Sequence, residues 1–177
     1  MSKESPATIR FRANTDMDAC VRLLAIVHAR DQYPLVWPED AVTWLNPRGM
    51  IGAWVAERNG SVLGHVALHR AGRDGSGPEW LESLGLRPSQ IAWISRLFVD
   101  PAARRRGLGS YLLNAALRHA SRLGLRAALE VVETDRDAIA LYERYGWIRV
   151  QSRAWILPSG AKTLVHSYLA PAEPAEK

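Results

Sequence analysis

The apolar positions of the chain fall into alternating strand and helix periods. Residues 7–12 alternate briefly and predict a first strand; Met17, Cys20, Val21, Leu24 and Val27 then recur at helical spacing. Asn14 stands where a helix cap belongs, and Asp16 and Asp18 suit a first helical turn. The next segment, HARDQYPLVWPED, is broken by Pro34 and Pro38 and leads into a second helix around residues 41–45. Apolar runs at 50–57 and 61–70 flank Asn59-Gly60, a two-residue hairpin signal. Residues 72–90 are punctuated by glycine and proline, with one short helix expected at 79–84; a connection of this length suits a lid or binding loop.

Residues 91–99 are nearly continuous in apolar side chains, as in a strand buried on both faces. A helix follows over 108–123, closed by Gly124 in a position that suits a left-handed cap. Residues 126–133 predict another strand, and Thr134-Asp135-Arg136-Asp137 resembles a capping box opening a helix that runs to Tyr145 and stops at Gly146. Strands near 148–157 and 163–169 complete the order. No internal repeat is visible. The succession predicts an α/β fold with a central mixed sheet of about seven strands and about four flanking helices. Its domain is expected over residues 7–170, with a flexible start at 1–6 and a disordered tail at 171–177.

Composition narrows the class. Of 177 residues 47% are apolar and 23% charged, as in an ordinary globular protein. The single cysteine, Cys20, excludes an intrachain disulfide, fits a reducing compartment and lies on an apolar helical face, where it reads as core. No apolar leader segment precedes the first strand and no stretch is long enough to span a bilayer, so a cytoplasmic location without membrane contact is expected. The formal net charge of +5 is uneven: residues 1–93 carry ten basic and ten acidic residues, residues 94–177 thirteen and eight. Seven arginines lie between Arg96 and Arg126 against one acid, Asp100. A nucleic-acid module would call for a continuous basic tract or interleaved exposed aromatics. A phosphate-bearing small ligand explains the charge more economically.

That charge is focused at Arg104-Arg105-Arg106-Gly107-Leu108-Gly109, between the apolar strand and a helix N-terminus. Glycines let backbone N–H groups turn towards an anion, and the helix dipole adds partial positive charge. Two familiar phosphate motifs fail on the letters. A nucleoside-triphosphate loop ends in Gly-Lys-Ser/Thr, but Gly109 is followed by Ser110 and Tyr111. A dinucleotide fingerprint needs a third glycine where Leu112 stands.

The stretch ISRLFVDPAARRRGLGSYLL closely resembles motif A of the GNAT superfamily of N-acetyltransferases, Arg/Gln-x-x-Gly-x-Gly/Ala, with Arg104, Gly107 and Gly109 in its defining positions. The resemblance continues through LEVVETDRDAIALYERYGW and covers about residues 91–150. It implies a single-domain GNAT-like fold that binds acetyl-CoA as cosubstrate, without a metal. The pantetheine arm then pairs with backbone groups of Leu97, Phe98 and Val99. Arg104 fills the motif, and backbone amides of Arg105, Arg106, Gly107, Leu108, Gly109 and Ser110 hold the pyrophosphate.

Acetyl transfer to an amine sets three tasks: deprotonating the amine, stabilising charge on the thioester oxygen, and protonating the departing thiolate. Tyr142 matches the tyrosine of the family's Leu-Tyr-Glu pattern, which implies a general acid. It also shares a helical face with Ala138, Leu141 and Tyr145, which makes core packing the competing reading. Glu130 stands where ribosomal-protein N-terminal acetyltransferases of the family carry a glutamate base; an ion pair with a nearby arginine and a water chain acting as base are the alternatives. Asp135 replaces an asparagine that often contacts the coenzyme; it can still cap a helix and accept hydrogen bonds, but it has no amide N–H.

His65 and His69 lie four residues apart in a strand, about 13 Å, too far to share an ion, so no metal site is expected. Of seven tryptophans, Trp54, Trp93 and Trp147 read as core, whereas Trp37, Trp44 and Trp80 read either as core or as walls of an acceptor pocket beside His28, Tyr33, Asp31 and Glu79. The expected activity is acetyl transfer from acetyl-CoA to a primary amine by direct attack in a ternary complex. The acceptor is a small-molecule or protein amine, and a homodimer is compatible with the reading. A non-catalytic acyl-CoA sensor on the same fold and a basic nucleic-acid-binding module are the competing functions.

Overall fold

A computed structural model describes residues 5–70 and 78–172. The expected flexible start and disordered tail therefore lie largely outside the described residues, as does the first part of the 72–90 connection. Seven strands form a sheet in the order β1-β2-β3-β4-β5-β7-β6: β1 Thr8–Phe11, β2 Met50–Arg58, β3 Ser61–Arg70, β4 Ile91–Val99, β5 Arg126–Val132, β6 Ile148–Ile156 and β7 Lys162–Leu169. Among the described residues there are five α-helices rather than about four: α1 Met17–Asp31, α2 Ala41–Leu45, α3 Trp80–Ser83, α4 Leu108–Arg122 and α5 Arg136–Arg144. The short helices α2 and α3 lie where the sequence predicts them, around 41–45 and within 79–84. The chain divides into two compact units, one taking in the chain up to His69 with Ile94–His119, the other Arg70–Trp93 and the chain from Ala120.

In the first unit β1 runs antiparallel to β2, with Phe11 opposite Trp54, and β2 antiparallel to β3, with Val55 opposite His65. Asn59 (φ 49°) and Gly60 (φ 79°) are both left-handed, as the tight hairpin requires. Asn14 does not cap α1. Residues Asn14–Asp16 form a 3-10 turn, and Asp16 takes the N-cap position. The Asp16 carboxylate accepts the Ala13 N–H at 2.7 Å and two bonds from Arg10 at 2.7 and 2.9 Å. The Arg10 guanidinium holds the Asp16 carboxyl below the usual carboxylate range. The apolar stripe of α1 packs as its spacing predicts: Cys20, Leu23, Leu24 and Val27 meet Leu45, Val55 and Phe98. Cys20 is fully buried, and burial pushes its thiol up to about 11, as expected of a structural rather than a reactive cysteine.

Gly64 on β3 sets how closely three elements approach. A Cβ there would lie 2.9 Å from Leu112 Cδ1 of α4 and 3.0 Å from the Phe98 carbonyl oxygen of β4. The carbonyl belongs to the strand backbone and cannot swing aside, so Gly64→Ala is expected to destabilise the protein by about 1–3 kcal/mol through overpacking. Urea midpoints check this, and an unchanged midpoint would mean that β4 has room to shift.

In the second unit β7 lies antiparallel to both its neighbours, with Glu130 and Gln151 each opposite Ser167. Trp80 and Leu81 of α3 pack with Ile91, Ala128 and Leu169, and the Trp80 ring meets Trp93 edge-on at 6.1 Å. Trp80 is therefore core. Trp54 and Trp147, at 5% and 4% exposure, are core as well.

Candidate active site

The turn between β4 and α4 is built by short-range bonds. Asp100 anchors it: its N–H donates to the Leu63 carbonyl at 2.8 Å, and its carboxylate accepts the Ala102 N–H at 2.8 Å. After a 3-10 turn over Pro101–Ala103, Arg104 is extended, while Arg105 (φ 61°) and Gly107 (φ 77°) are left-handed. Left-handed residues alternating with others are the backbone geometry of anion-binding nests, in which successive N–H groups converge. A non-glycine residue with positive φ is strained, and such strain concentrates at functional sites. Arg105, Arg106 and Gly107 are exposed, whereas Leu108 is buried and pins the first turn of α4. The N–H groups of Leu108, Gly109 and Ser110 open the helix and have no intrahelical acceptor by helix geometry.

Arg104 is committed elsewhere. Its Nε donates to the Val99 carbonyl at 3.2 Å and its Nη2 is ion-paired with Asp31 at the end of α1. The motif's arginine therefore straps the turn to β4 and α1, and its neighbours Arg105 and Arg106 carry the exposed charge. The Val99 carbonyl thus has one of its two acceptor positions filled. Leu97 is partly exposed beside it, and the Phe98 side chain is buried, stacked on His65 with ring centroids 5.2 Å apart.

The middle of β4 departs from the continuous strand its composition predicts. Arg96 has φ 54°, left-handed within the strand. Its carbonyl lies 2.9 Å from His65 Nδ1, and His65 Nε2 lies 2.9 Å from an Arg12 Nη. An arginine can only donate, so Nε2 accepts and Nδ1 carries the proton that it donates to Arg96. His65 is completely buried, and burial, together with the two arginine charges, lowers its pKa to about 3. Arg12 also donates to the Leu45 carbonyl at 2.9 Å and to the Asn46 side-chain oxygen. Sequence reasoning weighed His65 only as a metal ligand and Arg96 only as part of a basic cluster. The available signal was Ser95-Arg96, two polar residues inside an otherwise apolar strand.

The remaining candidates lie in the second unit. Asp135 is the N-cap of α5, its carboxylate accepting the Ala138 N–H at 3.2 Å. Tyr142 is 6% exposed, with its ring 5.8 Å from Trp147 and 6.1 Å from Tyr168. The Tyr168 hydroxyl donates to Glu143 at 2.8 Å. Glu130 is exposed on β5; it accepts from Arg153 at 3.0 Å and from the Ser167 hydroxyl at 3.2 Å. A carboxylate offers about four acceptor positions, so these two bonds leave it able to receive another donor. Among the described residues no group of His, Cys, Asp and Glu side chains could hold a metal ion, and no helix is long and apolar enough to cross a membrane.

A mycothiol acetyltransferase from Geodermatophilus obscurus is 32% identical to the chain over 148 residues, which are 78% of this chain and 43% of that protein. The chain spans about half the length of the curated relatives it matches. Among solved structures, an N-acetyltransferase from Staphylococcus aureus Mu50 superposes with a TM-score of 0.73 at 19% identity, covering 93% of this chain and 98% of that one. The yncA protein of Salmonella typhimurium, solved with its cofactor acetyl-CoA, does so with a TM-score of 0.70 at 19% identity, covering 98% of each chain. At these identities the superpositions establish a shared fold. Residues 21–147 match the family described as "Acetyltransferase (GNAT) family", and with the nest at Arg105–Gly107 at the mouth of α4 they lead to one assignment: the chain belongs to the GNAT acetyltransferase family.

Proposed function

We propose that the chain is an N-acetyltransferase that moves an acetyl group from acetyl-CoA to a primary amine by direct attack in a ternary complex. The observation that carries the reading is the turn at Arg105–Gly107, left-handed at both ends and opening onto a helix N-terminus. It fits a polyphosphate: the exposed side chains there are Arg105 and Arg106, and a Cβ added at Gly107 would lie 3.2 Å from the Tyr111 ring. Bound acetyl-CoA supplies the acetyl group activated as a thioester. The N–H groups of Arg105 to Ser110 hold the pyrophosphate, and backbone groups of Leu97, Phe98 and Val99 receive the pantetheine arm, the Val99 carbonyl keeping one acceptor position beside its bond from Arg104. Asp135 fixes the start of α5 and so the placement of Tyr142. Tyr142 donates its phenolic proton to the sulfur as the thiolate departs, and Glu130 accepts the amine's proton directly or through water.

The test is a screen of small-molecule and peptide amines for release of free CoA from acetyl-CoA, with the acetylated product identified by mass. Release that depends on the amine, matched by acetylated product, is expected. Coenzyme binding without transfer to any amine would instead make the chain an acyl-CoA sensor.

A further inference from the structure

Among the described residues, the arginine at the centre of β4 has no counter-ion. Arg96 is partly buried, with its guanidinium carbon 4.5 Å from the centre of the Trp44 ring and its Nε donating to the Trp44 carbonyl at 3.1 Å. Among the described residues its Nη groups have no hydrogen-bond or ion-pair partner. Burial lowers its pKa, and the one ionisable group that favours its charge is the Tyr33 phenol, a group neutral at pH 7. Two acids of the same unit are engaged elsewhere: Asp16 holds Arg10 and Asp31 holds Arg104. A second partly buried guanidinium, Arg12, contacts His65, and His65 is neutral and cannot compensate either charge. A cation withdrawn from water without a partner is costly, and a carboxylate in bidentate contact removes that cost.

We propose that Arg96 anchors a carboxylate of the acceptor, which makes the acceptor a small amino-acid-like molecule, a primary amine that also bears a carboxylate. The inference rests on the acetyl-transfer reading above. The shape of the site selects the ligand chemistry. Stacked on Trp44 and tethered through Nε, the guanidinium is held in one plane, and its remaining Nη edge matches the two oxygens of a planar carboxylate. The coenzyme's phosphates are assigned to the turn at Arg105–Ser110, which begins nine residues further along the chain and beyond the end of β4. The partly exposed rings of Trp44 and Tyr33, 6.1 Å apart, stand beside Arg96 as a wall for the acceptor's carbon skeleton.

The experiment compares matched acceptors that differ only in the carboxylate: L-phenylalanine with phenethylamine, L-tyrosine with tyramine, and L-methionine with 3-(methylthio)propylamine. Each is tested for acetyl transfer and, separately, for calorimetric binding in the presence of CoA, on the wild-type protein, Arg96→Met and Arg96→Lys. The wild-type protein is expected to favour a carboxylated member over its partner by about 10- to 100-fold. In Arg96→Met that preference collapses through KM, with the KM for acetyl-CoA unchanged, and Arg96→Lys restores part of it. Equal binding of both members of every pair by the wild-type protein, or a preference that survives in Arg96→Met, overturns the anchor. Carboxylate-selective binding that depends on Arg96 but is accompanied by no transfer supports the anchor and overturns the transfer reading instead.

Discussion

Tyr142→Phe is expected to lower turnover by about 10²- to 10⁴-fold, the range that general-acid catalysis contributes, while acetyl-CoA affinity changes by no more than a few fold. The substitution isolates the hydroxyl. The ring lies buried against Trp147 and Tyr168, and phenylalanine keeps those ring contacts. Packing does not exclude chemistry at this position: the helical face shared with Ala138, Leu141 and Tyr145 predicts a core ring, and a buried ring holds its phenol in one place. A donor whose leaving thiol is more acidic than CoA has less need of a proton, so an aryl thioester of acetate should recover part of the lost rate in the variant. Turnover equal to the wild-type value would remove Tyr142 from the mechanism and leave it as core.

The second large effect is on stability in acid. His65 has a folded-state pKa of about 3 against an ordinary value near 6.5, so between those limits the unfolded chain binds a proton that the folded chain does not. The stabilisation is therefore complete above pH 6.5 and is lost as pH falls towards 3. By pH 5 the loss from this residue amounts to about 2 kcal/mol. His65→Gln provides the reference, because its amide can accept from Arg12 and donate to the Arg96 carbonyl without titrating. Urea midpoints measured from pH 7.5 to 5 should fall more steeply for the wild-type protein than for His65→Gln, the other histidines being common to both. Parallel curves would mean that His65 takes up its proton in the folded protein near the ordinary histidine pH. His65→Leu should be destabilised at every pH, since it leaves the Arg12 guanidinium and the Arg96 carbonyl each short of a partner.

Local signals carried most of the fold. The helix at Ala41–Leu45 and the strand at Ile91–Val99 appear with the bounds their patterns predict, and the Asn59-Gly60 hairpin follows from turn chemistry confined to two residues. The basic turn was legible for the same reason: its glycines and arginines are contiguous. What the sequence hid was long-range. Arg104 reads as a ligand contact until Asp31, 73 residues away, claims its side chain. Arg12 reaches His65 across 53 residues, and His65 reaches the Arg96 carbonyl across 31. The left-handed backbone at Arg96 leaves no trace in composition, because tertiary contacts rather than residue type hold it there. Trp80 is decided as core only by the neighbours it meets in three dimensions.

The Arg104–Asp31 pair joins the coenzyme turn to the end of α1, one residue before the left-handed Gln32 and two before Tyr33. In a ternary complex the two ligands would then be coupled energetically. If coenzyme shifts the turn, Asp31 moves with it and displaces the segment that carries Tyr33. Linkage then requires each ligand to change the other's affinity by the same factor. A partly exposed pair of this kind transmits at most about 1 kcal/mol, or about fivefold. Coupling of that size would appear as an acceptor affinity about fivefold different with and without coenzyme, and Asp31→Asn should remove the difference.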